Sequence, residues 1–90
     1  DDFLYTYGMF YGVGDYAGIC VLSKGIEYSD EQQIEWEKQN IRITQMEVEE
    51  GKSEDEKKVK CVFRFADGEK VLYLHLVREN NNWYVNGLPQ

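Results

Sequence analysis

Ala66-Asp67-Gly68-Glu69 stands between two runs in which every second residue is apolar. Asp-Gly suits both positive-φ positions of a two-residue type I′ turn, so Lys57 to Ala66 and Glu69 to Arg78 are predicted to form an antiparallel hairpin. With Asp67 and Gly68 at the turn, Val59 faces Leu76, Cys61 faces Leu74 and Phe63 faces Leu72 on one side of the sheet. On the other side Lys60 faces His75, Val62 faces Tyr73 and Arg64 faces Val71. A second two-residue turn at Asn80-Asn81 sets Leu76 against Val85 and Arg78 against Trp83, which adds Val85 and Trp83 to the first side. That side is apolar, with Cys61 its one ionisable group, and has to be covered by the rest of the chain. The second side mixes Val62, Val71, Tyr73, His75, Val77 and Tyr84 with Lys58, Lys60 and Arg64. It is more apolar than a solvated antiparallel face, so a cover is expected there too.

Two further runs, Ile41 to Glu49 and Trp83 to Gly87, carry the same β-branched and aromatic bias. They bring the expectation to a four-stranded antiparallel sheet. The acidic stretch Glu49 to Glu56 reads as a solvated loop.

Before Asn40 the period is different. Phe3, Tyr7, Phe10 and Tyr11 fit a helical stripe that Leu4 and Tyr5 broaden, so a first helix is predicted from Asp2 to about Tyr11. Gly12 and Gly14 end it, and Asp15 can cap a second helix from Tyr16 to about Lys24 that turns Ala17, Cys20, Val21 and Leu22 inward. Ser29-Asp30-Glu31-Gln32 has the form of a capping box with two acids in the first turn. It predicts a third helix from Asp30 to about Gln39, anchored by Ile34 and by Trp36 or Ile41.

Ninety residues make one domain, 1–90, and leave a core in which each large apolar side chain matters. Seventeen acidic against ten basic residues give a net charge of −7, which disfavours nucleic acid as a partner. The longest apolar run, Ile19-Cys20-Val21-Leu22, is far too short for a transmembrane segment. One histidine and two cysteines cannot supply a four-ligand Cys/His zinc site, and no metal or cofactor is implied. Cys20 and Cys61 read as buried thiols, with a disulfide between them as the alternative.

Gly14-Asp15-Tyr16, Trp36, Asp67-Gly68, Leu72 to Val77 and Trp83 to Gly87, on three helices followed by a meander, form a pattern spanning most of the chain. In this it resembles the nuclear transport factor 2-like, cystatin-like superfamily, and within it the small bacterial, often lipid-anchored proteins of unknown function. The resemblance implies an α+β fold in which a curved sheet closes as a cone around N-terminal helices. It also implies pairing of two sheets in a homodimer, and an exported or lipid-anchored location at a bacterial envelope. The short first helix, and the lack of room for a hairpin between the second and third helices, depart from the larger members and argue against a deep pocket.

Enzymes of that superfamily place a carboxylate or histidine base beside a tyrosine or protonated acid inside the cone. Here the register puts His75, the one histidine, on the outer side, so no catalytic residue is assigned. The primary reading is a non-catalytic interaction domain whose two copies meet through Val62, Arg64, Tyr73, His75 and Tyr84. A standard interface buries about 1,600 Å², and aromatic residues with arginine supply its strongest contacts. The alternative is a binder of a small hydrophobic molecule, or an isomerase- or dehydratase-like enzyme, with a pocket formed by Tyr5, Tyr7, Tyr11, Phe63 and Trp83. Phenol rings suit such a pocket because they offer an apolar body with a polar tip.

Overall fold

Phe65 and Gly68, not Ala66 and Glu69, close the hairpin: the two turn residues are Ala66 and Asp67, and Gly68 begins the next strand at φ 146°. In the computed structural model, which describes residues 2–49 and 53–90, Val59 therefore faces Leu74, Cys61 faces Leu72 and Phe63 faces Lys70. The pairing has slid by two residues from the register expected. Side chains alternate with a period of two, so each residue keeps its face although each partner changes. His75 now faces Lys58, Tyr73 faces Lys60 and Val71 faces Val62. The Asn80-Asn81 turn is as expected, with φ of 51° and 67°, Leu76 opposite Val85 and Arg78 opposite Trp83.

The chain is α+β. Its elements run α1 (Asp2–Val13), α2 (Tyr16–Val21), β1 (Ser23–Lys24), α3 (Asp30–Gln39), β2 (Arg42–Glu49), β3 (Glu56–Phe65), β4 (Gly68–Glu79) and β5 (Asn82–Asn86). The sheet has five strands in the order β1-β5-β4-β3-β2, and β1 lies parallel to β5. It is thus mixed, where four antiparallel strands were expected. The extra strand comes from Ser23 and Lys24, which the sequence pattern assigned to the end of the second helix. Leu22 and Lys24 carbonyls accept from the Val85 and Gly87 N–H groups at 2.8 and 3.0 Å, and this pairing unwinds the helix early. Of the loop expected at 49–56, residues 50–52 lie outside the described residues.

α1 runs two residues past Tyr11 and stops at Gly14, whose φ of 73° a side chain would disfavour. Asp15 caps α2, its Oδ1 accepting from the Gly18 N–H at 2.9 Å. Ser29 caps α3 in the same way, accepting from the Gln32 N–H at 3.1 Å. α2 buries Tyr16, Ile19 and Cys20, while Ala17 and Val21 are exposed and Leu22 is half-buried. A six-residue helix has room for only one inward stripe, and the stripe begins at Tyr16. On α3 no residue is buried: Ile34 is 53 % exposed, and Trp36 is its half-buried apolar anchor.

The core lies between the helices and the inner sheet face. Val59, Cys61, Phe63, Leu74, Leu76 and Val85 are all but fully buried against Leu4, Tyr7 and Tyr11 of α1 and Ile19 of α2. Each such aliphatic or phenyl side chain stabilises the fold by about 1.5–3 kcal/mol. Cys20 and Cys61 are both buried and both free thiols. The inner face is not free of charge, contrary to expectation. Lys57, Lys70 and Arg78 lie on it near the strand ends, where they place cations over the rings of Trp83 (Lys57 and Arg78) and Phe65 (Lys70), 4.7 to 5.5 Å from the centroids. Their stems cover apolar surface while their heads reach water.

Candidate functional site

Beneath α3 the inner face opens into a cleft of about 290 Å³. Its floor is Phe63, Phe65 and Leu72, its wall is Tyr11, Tyr16 and Trp36, and Leu88 and Pro89 close one side. Tyr11 packs edge against face on Phe63 at 5.5 Å between centroids, and Trp36 packs at a tilt on Tyr11 at 5.2 Å and on Tyr16 at 5.5 Å. Gln32, Glu35 and Gln39 project from one face of α3 onto the rim, at spacings that a helix brings together. The arrangement can receive an apolar group and offer amide and carboxylate contacts to its exposed end.

α3 is held there by few ties. The Gln33 side-chain amide donates to the Gly14 carbonyl at 3.2 Å, and Asn40, at φ 49°, ends the helix with its N–H on the Glu37 carbonyl at 3.1 Å. Arg42 then reaches back to donate to the Tyr11 carbonyl at 3.1 Å, which fastens the start of β2 to the last turn of α1.

Of the residues proposed from sequence for a pocket, Tyr11 and Phe63 line this cleft. Tyr7 lies deeper, fully buried, with its hydroxyl 3.4 Å from that of Tyr11. Burial, reinforced by the neighbouring Tyr11, holds the Tyr7 phenol well above its ordinary range, and burial pushes the Tyr11 phenol up to about 12. Both are neutral near pH 7. Tyr5 is 74 % exposed on the opposite side of α1, and Trp83 sits with Lys57 and Arg78 over its ring. Tyr16, Trp36, Phe65 and Leu72 were missed as lining residues. The aromatic crowding at the N-terminus hinted at Tyr16, and Leu72 was already expected on the inner face opposite Phe63.

The five residues proposed for an interface all lie on the outer face. Val62 faces Val71, Tyr84 faces Val77, and Tyr73 and His75 follow Val71 along β4. Val71 is 51 % exposed, His75 is exposed, and Val62, Tyr73, Val77 and Tyr84 are half-buried. Arg64 pairs with Glu69 at 3.7 Å, Lys58 lies over Tyr73 at 4.5 Å, and Lys24 lies over Tyr84 and bonds Glu79. The result is a diagonal apolar stripe bordered by charges.

Among the described residues, no His, Cys, Asp or Glu group is placed to hold a metal ion, and no helix is long and apolar enough to cross a membrane. Comparison with protein families, with characterised proteins and with solved structures finds no match. The fold and these two surfaces define an α+β chain with helices on one face of an open mixed sheet.

Proposed function

We propose that this chain is a non-catalytic interaction domain that pairs with a second copy of itself through its sheet. The observation that carries the reading is the outer stripe of Val62, Val71, Tyr73, Val77 and Tyr84, an apolar surface on the sheet face turned away from the helices. Tyrosines flanked by valines give large contact area at low entropic cost, and the bordering cations and carboxylates supply a polar rim. The reading takes the fold as a small nuclear transport factor 2-like, cystatin-like domain, its sheet wrapped as a cone around the helices. Helices confined to one sheet face are consistent with that assignment, and a bacterial envelope location rests on the resemblance alone.

Tyr73→Asp places a charge at the middle of the stripe. Sedimentation equilibrium should show a lower mass for the variant with its circular dichroism unchanged; an unchanged mass contradicts the face-to-face pairing.

A second reading is favoured by the cleft under α3. Its aromatic wall suits a small hydrophobic molecule, and Glu35 on the rim disfavours an anionic one. Trp36 fluorescence titrated with neutral and cationic amphiphiles tests it, and a flat response to both removes it.

A further inference from the structure

The sheet ends on β2, an eight-residue edge strand, whereas the opposite edge is the two-residue β1. A long edge exposes a row of backbone donors and acceptors that can pair with another strand. Register on β3 fixes which way each β2 side chain points. Ile43, Met46 and Val48 share the inner face with Phe63, Cys61 and Val59, while Gln45, Glu47 and Glu49 share the outer face and the Arg42 guanidinium turns back to the Tyr11 carbonyl. The irregularity between Ile43 and Gln45 makes Thr44 a bulge residue.

Beside this edge α1 leaves an apolar recess of about 390 Å³ lined by Tyr5, Gly8, Met9, Ile43 and Met46 among others. Val48 is 51 % exposed although its neighbour across the sheet, Val59, is fully buried, because the inner row runs out beyond the cover that α1 provides. Tyr5 and Met9, one helical turn apart, are exposed above the same recess.

We propose that two copies of this chain join edge to edge along β2, antiparallel about a twofold axis at Met46. Turned about that axis, Met46 meets Met46 and Gln45 meets the second copy's Glu47. Because both strands carry the bulge at Thr44, Ile43 then meets the second copy's Val48. The inner row becomes wholly apolar, with the second copy's Met46 and Val48 entering the recess beside α1. The outer row pairs the Gln45 amide with the Glu47 carboxylate, and twofold symmetry makes that pair twice. Other registers serve less well. An axis at Glu47 sets glutamate against glutamate, and one at Val48 sets Glu47 against Glu49. Glu47 and Glu49 do not guard the edge as isolated charges would, since Lys60 and Lys58 face them across β3.

This contact is separate from the outer-face pairing, and the test keeps the two apart. Met46→Cys is made both in the otherwise native chain and together with Tyr73→Asp, and each is exposed to oxidised glutathione. The buried Cys20 and Cys61 serve as the internal background. Covalent pairs should form through Cys at position 46 in both chains, and Glu47→Cys, whose thiols stand apart across the axis, should not link. Absence of a link from Met46→Cys, or equal linking from Glu47→Cys, overturns the proposal. A second variant leaves Met46 in place. Val48→Lys changes a side chain already half in water, so the chain keeps its fold, and in the Tyr73→Asp background it should weaken self-association at least about tenfold. Unchanged association there likewise overturns the edge contact and leaves the outer-face reading to stand or fall by its own test.

Discussion

The hydroxyls of Tyr7 and Tyr11 lie 3.4 Å apart, one turn from each other on α1, enclosed between the helix and the inner sheet face. Cys61 is fully buried on that same inner face. Each of these groups is stable only in its neutral form.

Burial raises the Tyr11 phenol from 10.0 to about 12 and the Cys61 thiol from 9.0 to about 11, and it raises Tyr7 further. In the unfolded chain these groups ionise at their ordinary values, so above about pH 9 the unfolded state binds fewer protons than the native one. The stability that depends on these neutral groups is therefore full below pH 9 and is lost as pH rises through 9 to 12. Urea titrations at stepped pH should show a falling midpoint over that range, with phenolate absorbance from the two buried tyrosines appearing only on unfolding. A midpoint flat to pH 11 contradicts the burial of these groups.

Gly18 holds α2 against α1 by having no side chain. A Cβ there would stand 2.7 Å from Phe10 Cδ2 and 2.9 Å from Asp15 Oδ2, the cap of its own helix. Gly18→Ala gains helix propensity yet displaces both neighbours, so a net loss of about 1–3 kcal/mol is expected by chemical denaturation. A neutral or stabilised variant means that the two helices are not packed this closely.

α3 depends on one ring. Trp36→Ala removes the contacts to Tyr11 and Tyr16 from a helix none of whose residues is buried. The loss is expected to be about 2–4 kcal/mol, below that of a fully buried tryptophan. Hydrogen exchange should become faster in residues 30–39 while β3 and β4 keep their protection. Uniform loosening of the whole chain would show that α3 is part of the main core.

The sequence pattern reached the helices, the two hairpins and the faces of the sheet, because each depends on periods and turn residues that are local. It set Asp67 and Gly68 at the turn where the chain uses Ala66 and Asp67. A slip by two residues leaves the alternation intact, so hydrophobic pattern has no means to reject it, and only packing chooses. Asn80-Asn81 left no such freedom, since both turn residues take positive φ. Ser23 and Lys24 escaped as a strand because two residues have no period. The cleft was half visible: Tyr11 and Phe63 were named, whereas Tyr5 and Tyr11, although on the same helix, point to different sides of it. Helical angle, which decides that, is blurred when a helix carries aromatic residues on most of its circumference.

Native mass spectrometry of the protein as purified, before any ligand is added, tests the central claim most directly. The account predicts an assembly of two or more chains with no added mass. A single chain, bare or carrying a small molecule, contradicts it, and in the second case the added mass would favour the small-molecule reading over the interaction domain.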